Sequence, residues 1–246
     1  MITEEVCTDN MHPLYWGKET HLKYEALLSD FKEKFGHDAE VSKMRCKNYE
    51  YHLNVMCAFL KKLKGDKLSV LEIGSYTGQS TRIFSEYFKS VESVDPFGKS
   101  NELSDIDDSK ETNPSEMDSL DIRVKFEKAH EVIKFIFTNN VVDIVDNVIH
   151  HDMTSDDFFL KYSDEFLKES DQKKFDFIYI DGDHRYSQQK RDYTNALKFL
   201  AIDGIVGGHD FSWESTQKVI KDLGFQHKPL IHFMDDSFLI IPEKLL

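Results

Sequence analysis

The sequence predicts an α/β protein, a doubly wound and mostly parallel sheet of seven strands with helices on both faces. Three observations predict it. From Leu68 onward, short apolar runs alternate with segments of helical periodicity, the pattern of strands joined by helical crossovers. The first run empties into a glycine-punctuated turn, Gly74-Ser75-Tyr76-Thr77-Gly78, of the kind that forms the ligand-binding edge of an open α/β sheet. The last two runs are separated only by Met234-Asp235-Asp236, too short a link for a helical crossover, so they form an antiparallel hairpin.

Taken in order, strands are expected at residues 68–73, 91–94, 143–149, 175–180, 204–207, 226–233 and 237–241, with helices at 78–88, 124–138, 155–168, 187–200 and 214–223. Residues 1–66 contain no strand pattern and read as an N-terminal helical cap ahead of a domain at 67–246. In the cap Tyr49, Leu53, Met56, Leu60 and Leu63 recur at helical spacing, which reads as core packing. Residues 100–121 hold eight acids, one lysine and Pro114, the composition of a solvated acidic loop.

The 246 residues carry 31 Lys+Arg against 45 Asp+Glu, a formal charge of −14. A surface so acidic repels phosphate backbones, which argues against nucleic-acid binding. No run approaches the ~20 apolar residues of a membrane helix, and the acidic N-terminus lacks the pattern of a secretory signal, so a cytoplasmic location is expected. Cys7, Cys46 and Cys57 have neither CxxC spacing nor an even count, which points to reduced thiols. Self-association into a homo-oligomer is compatible with this composition.

Two clusters carry chemistry. The first is Val70-Leu71-Glu72-Ile73-Gly74-Ser75-Tyr76-Thr77-Gly78-Gln79-Ser80-Thr81, a buried strand, a turn and a helix start. Gly74 can take a conformation closed to other residues, and Gly78 permits close approach to the helix N-terminus. Tyr76 and Gln79 stand where a dinucleotide fingerprint needs glycine, which disfavours pyrophosphate. The second strand ends in Asp95, about twenty residues beyond Gly74, where a carboxylate can accept the hydroxyls of a ribose.

The second cluster is Asp181-Gly182-Asp183-His184-Arg185 after the fourth strand, with Gly208-His209-Asp210-Phe211 after the fifth. If these strands are neighbours, Asp181 and Asp210 emerge side by side about 4.8 Å apart at the carboxyl edge. Two such carboxylates repel unless a cation or a proton lies between them, and a divalent metal satisfies both. The aromatics Phe97, Phe211 and Trp213 are candidates for lining an acceptor pocket and, equally, for simple packing.

Over residues 68–213 and the terminal hairpin, these motifs resemble those of the class I S-adenosylmethionine-dependent methyltransferases. The resemblance implies a Rossmann-like sheet of order 3-2-1-4-5-7-6, with the last-added strand antiparallel. It places Glu72, Gly74, Ser75, Tyr76, Thr77, Gly78 and Ser80 in the first motif, around the methionine end of the cofactor. It also places Asp95 on the ribose and Asp152 with Met153 on the adenine. Tyr76 departs from the glycine that many members carry there.

Within that class, the second cluster resembles metal-assisted O-methyltransferases of small molecules, such as the catechol and macrolide-sugar enzymes, and the cephalosporin-hydroxylase-like group. This implies that Asp181, His209 and Asp210 hold Mg²⁺, while His184 and Asp181 serve catalysis on a hydroxylated acceptor such as a sugar or glycoside. Histidine at 209 is softer than an oxygen ligand, which favours Mn²⁺ or Fe²⁺ or leaves it behind the ligands. Two other readings compete. His184, His209 and a carboxylate would also suit a non-haem iron oxygenase, and a non-catalytic binding protein would keep the fold without turnover.

Overall fold

The computed structural model describes residues 47–97, 131, 133–142, 145–166 and 174–245, together with Ser29 and Glu33. The acidic segment 100–121 and most of 1–46 lie outside the described residues. The order is α1 (Lys47–Lys64), β1 (Ser69–Ile73), α2 (Gln79–Tyr87), β2 (Ser90–Val94), a π-helical turn (Thr138–Val142), β3 (Val148–His151), α3 (Ser155–Phe166), β4 (Phe175–Ile180), α4 (Tyr186–Phe199), β5 (Leu200–Gly208), α5 (Glu214–Asp222), β6 (Leu230–His232) and β7 (Phe238–Ile240).

The sheet has the order β3-β2-β1-β4-β5-β7-β6. Pairings through β5 are parallel, and β7 runs antiparallel to both β5 and β6. The expected architecture is therefore the observed one. The chain order reverses direction across β1 and β4, so the two polar clusters leave neighbouring strands at one edge.

Alternation along the central strands supplies two cores. Val70, Phe177 and Tyr179 face one side, with Leu53, Met56, Cys57 and Leu60 of α1 and Phe84 of α2. Leu71, Ile178 and Ile180 face the other, against Phe158, Phe159, Tyr193, Phe199 and Val219. Each large apolar side chain so buried contributes about 1.5–3 kcal/mol. Leu53, Met56, Leu60 and Leu63 of the α1 stripe are thus core packing, continuous with the sheet, and the Tyr49 side chain lies outside the described residues. Cys57 is a free thiol in that core, where burial pushes its pKa well up.

Three boundaries differ from expectation by more than two residues: β5 already begins at Leu200, four residues ahead of the expected 204, and the starts of β3 and β6 are later. The strand expected at 143–149 begins only at Val148. The Val145 N–H turns back to the Val141 carbonyl at 3.0 Å, and Asn147 Nδ2 donates to the carbonyls of Ser85 and Phe88 at 2.9 and 3.0 Å. These bonds hold residues 145–147 in a bend against the end of α2. The strand expected at 226–233 is reduced to Leu230–His232, because Gly224 at φ 73° starts a 3₁₀ turn over Phe225–His227.

A buried acid joins α3 to α4. Asp192 accepts from Ser155 Oγ at 2.6 Å and Gln188 Nε2 at 3.0 Å, yet burial pushes its pKa up to about 7. Between the ordinary carboxylate value and about 7, the folded chain keeps a proton that the unfolded chain has released. Rising pH therefore removes stability across that window, by up to about 4 kcal/mol. Asp192→Asn keeps the accepting oxygen without the charge. Urea unfolding at pH 5 and pH 8 should show the variant losing less stability than the wild type on alkalinisation.

Candidate active site

At the end of β1 the ladder continues one residue past the strand, with Gly74 N–H donating to the Val94 carbonyl at 2.9 Å and Asp181 N–H to the Ile73 carbonyl at 2.8 Å. A Cβ on Gly74, at φ 87°, would stand 2.1 Å from the Asp181 carbonyl oxygen. The first turn and the turn after β4 are therefore in backbone contact, and no other residue fits between them.

The glycine turn is held from below. Glu72 is wholly buried, and its carboxylate accepts from the hydroxyls of Ser80 and Thr81. Asn140 Nδ2 donates to the Thr77 carbonyl at 3.1 Å. A Cβ on Gly78 would meet Val141 at 2.5 Å and Phe137 at 2.9 Å, so glycine there answers to packing against the π-helical turn. Ser75 Oγ is buried without a hydrogen-bond partner, a free polar atom inside the turn.

Asp95 ties the first turn to the second. One carboxylate oxygen accepts from Tyr76 N–H at 2.7 Å and the other from Phe97 N–H at 2.6 Å. Both donors sit on residues of positive φ, 47° and 51°, a conformation that is costly for non-glycine residues and persists where its surroundings enforce it. Burial raises the Asp95 pKa, and these amides with that of Ser75 oppose the rise.

Beyond β3, Asp152 is ion-paired to Lys134 at 2.5 Å, and Met153 N–H donates to the His151 carbonyl at 2.9 Å. His150 lies between Phe97 and Phe137, with ring centroids 4.8 and 4.4 Å away. Burial brings its pKa down to about 4, so the imidazole is neutral near pH 7. Phe97 is buried in this group, which places it on the β2–β3 side and not among the acceptor-pocket aromatics suggested by the sequence.

The second cluster gathers beside β1. Ile180 pairs in register with Gly208, so the neighbour of Asp181 across the edge is His209. Asp210 reaches the cluster by a different route from the side-by-side exit expected, because its φ of 57° turns the chain back. Its carboxylate then lies between two imidazoles, 3.0 Å from His184 Nδ1 and 2.8 Å from His209 Nδ1. Asp181, 8% exposed, lies 3.9 Å from His209 Nδ1. His209 Nε2 donates to the Asp235 carbonyl at 2.7 Å, which fixes the proton on that nitrogen.

Asp181, His184 and Asp210 each offer one ligand atom, all within 4.8 Å of one another. Two carboxylates and an imidazole form a donor set that fits a divalent cation such as Mg²⁺, Mn²⁺ or Fe²⁺. His209 touches both acids from the hairpin side.

Sequence reasoning missed the hairpin turn that steadies this loop. Asp236 accepts from Ser212 N–H at 3.1 Å, from Ser212 Oγ at 2.6 Å and from His232 Nε2 at 2.8 Å. Its carbonyl accepts from Phe211 N–H at 3.1 Å. The only signal was the pair of acids in a link read for its length.

The profile of a protein family described as a methyltransferase domain matches residues 71–211. No curated protein sequence matches the chain significantly. Among solved structures, CalS11, described as a calicheamicin methyltransferase, aligns with a TM-score of 0.53 at 14% identity over 92% of each chain. An apo structure of CalS11, described as a TDP-rhamnose 3'-O-methyltransferase, aligns with a TM-score of 0.51 at 12% identity over 94% of this chain and 97% of that one. An O-methyltransferase from Bacillus cereus in complex with SAH gives 0.47 at 14% identity over 90% and 91%. At these identities the likeness is one of fold.

Proposed function

Because the chain belongs to the methyltransferase-domain family, of the class I S-adenosylmethionine-dependent fold, we propose that it methylates an oxygen of a small hydroxylated acceptor, a sugar or glycoside. The observation that carries this reading is the His184–Asp210 pair, 3.0 Å apart. It stands beside Asp181, whose backbone touches the glycine turn. Cofactor half and acceptor half are thereby adjacent. The sugar class rests on analogy with CalS11 and on no motif of the chain.

Each residue's part follows from its place. The unpartnered Ser75 hydroxyl, the Asp95 carboxylate and the Asp152–Met153 segment suit the methionine, ribose and adenine parts of S-adenosylmethionine. The cofactor, when bound, supplies a sulfonium methyl already activated for transfer. What the chain must add is alignment of the acceptor oxygen and removal of its proton. Asp210 accepts from His184 Nδ1, which leaves Nε2 to take the acceptor's proton as general base. A divalent cation held by Asp181 and Asp210, with His209 or His184 as a nitrogen ligand, would acidify the acceptor hydroxyl.

Family membership weighs against the oxygenase reading, since an oxygenase has no use for an adenosyl pocket. Dialysis against EDTA should abolish turnover while S-adenosylhomocysteine binding, followed by calorimetry, stays intact. Mg²⁺ or Mn²⁺ should restore the rate. Full turnover in chelator would mean that the acids orient the acceptor unaided.

A further inference from the structure

We propose that Trp213 is the stacking platform for the acceptor and that the ring it holds is a pyranose, an inference that rests on the methyltransferase reading above and deepens it. The indole is 50% exposed, and its ring centroid is 5.0 Å from that of His184. An exposed indole costs hydration free energy that a ligand's apolar face recovers.

The backbone beneath it is fixed at several points. Trp213 N–H donates to the Asp210 carbonyl at 3.0 Å, and Gln217 N–H donates to the Trp213 carbonyl at 2.9 Å. Gln217 Nε2 donates to the Phe211 carbonyl at 2.5 Å, and Ser212 is tied to Asp236 through N–H and Oγ. The platform is thus set before any ligand arrives, which lowers the ordering cost of binding.

The surroundings select the class of ring. A flat phenol is held best between two apolar faces. Phe211, the aromatic neighbour in sequence, is already packed on His232 at 4.5 Å and Phe238 at 5.4 Å. Phe211 therefore does not supply a second face for a ring stacked on the indole. Beside it stand His184, whose ring lies 5.0 Å away, and Asp210, whose carboxylate is 3.0 Å from His184 Nδ1, polar groups suited to hydroxyls. One apolar platform with a polar rim matches a pyranose, whose axial C–H groups form an apolar face and whose hydroxyls point outward.

Saturation-transfer NMR on the full chain, with methyl glucopyranoside and catechol as separate probes, tests this. Transfer to the axial protons of the pyranoside is expected in the wild type. It should weaken about tenfold in Trp213→Ala and be partly kept in Trp213→Phe. S-adenosylhomocysteine binding by calorimetry on the same samples should be unaffected, and its absence would fault the cofactor reading separately. No pyranoside signal in the wild type, an equal signal in Trp213→Ala, or a stronger Trp213-dependent signal from catechol would each overturn the proposal.

Discussion

His184→Ala should lower kcat by about 10²- to 10⁴-fold, the range typical of a positioned general base, with cofactor affinity unchanged. The 3.0 Å contact between His184 Nδ1 and Asp210 is the reason. It orients the ring, holds a proton on Nδ1 and stabilises the imidazolium formed when Nε2 takes the acceptor's proton. Asp210→Asn should accordingly also slow the reaction, by removing that charge. The convergence of His184 with Asp181 and Asp210 allows a second role as metal ligand, and kinetics separate the two. A base leaves the metal concentration for half-maximal rate unchanged in His184→Ala and removes the acid limb of the kcat–pH profile. A ligand raises that metal requirement and leaves the limb in place. Wild-type rate and profile in the variant would make His184 structural.

Asp95→Ala should weaken S-adenosylhomocysteine binding by about 10²- to 10⁴-fold, since each charge-assisted hydrogen bond to a ribose hydroxyl contributes about 1.5–3 kcal/mol. The same carboxylate accepts from Tyr76 and Phe97 N–H, and both residues hold positive φ. Its loss therefore also frees two turns from a strained conformation. Asp95→Asn keeps one accepting oxygen and should fall between alanine and wild type. Burial holds the Asp95 pKa above the usual carboxylate range. A ribose diol prefers the ionised acid, so affinity should fall on acidification sooner than an exposed carboxylate would allow. Calorimetric titrations of the three proteins at two pH values measure both effects. Unchanged affinity in Asp95→Ala would remove the ribose assignment.

Much of this fold was legible because period and punctuation agreed. Apolar runs ended at glycine, Asp95 or Asp181, and the three-residue link before Ser237 forced a hairpin. The β3 start was not legible, because the side-chain bonds of Asn147 reach carbonyls about sixty residues away. In the site, the convergence of Asp181 and Asp210 followed from strand adjacency. The route of Asp210 did not, since a positive φ at an aspartate leaves no mark in the sequence. Phe97 stayed open between pocket lining and packing because aromatic residues at a sheet edge look alike until packing sorts them. Asp235 and Asp236 were hidden for a similar reason, as their bonds to His209 and Ser212 join segments more than twenty residues apart.

Incubation of the protein with trideuteromethyl-labelled S-adenosylmethionine, Mg²⁺ and a mixture of glycosides, phenols and amines, followed by mass spectrometry, tests methyl transfer at this sheet edge most directly. The expected product is a glycoside bearing the labelled methyl on oxygen, and its rate of formation should fall about 10²-fold or more in His184→Ala and be lost in EDTA. Label on nitrogen or carbon, or label on a glycoside formed equally well by His184→Ala and in chelator, would contradict the proposed chemistry.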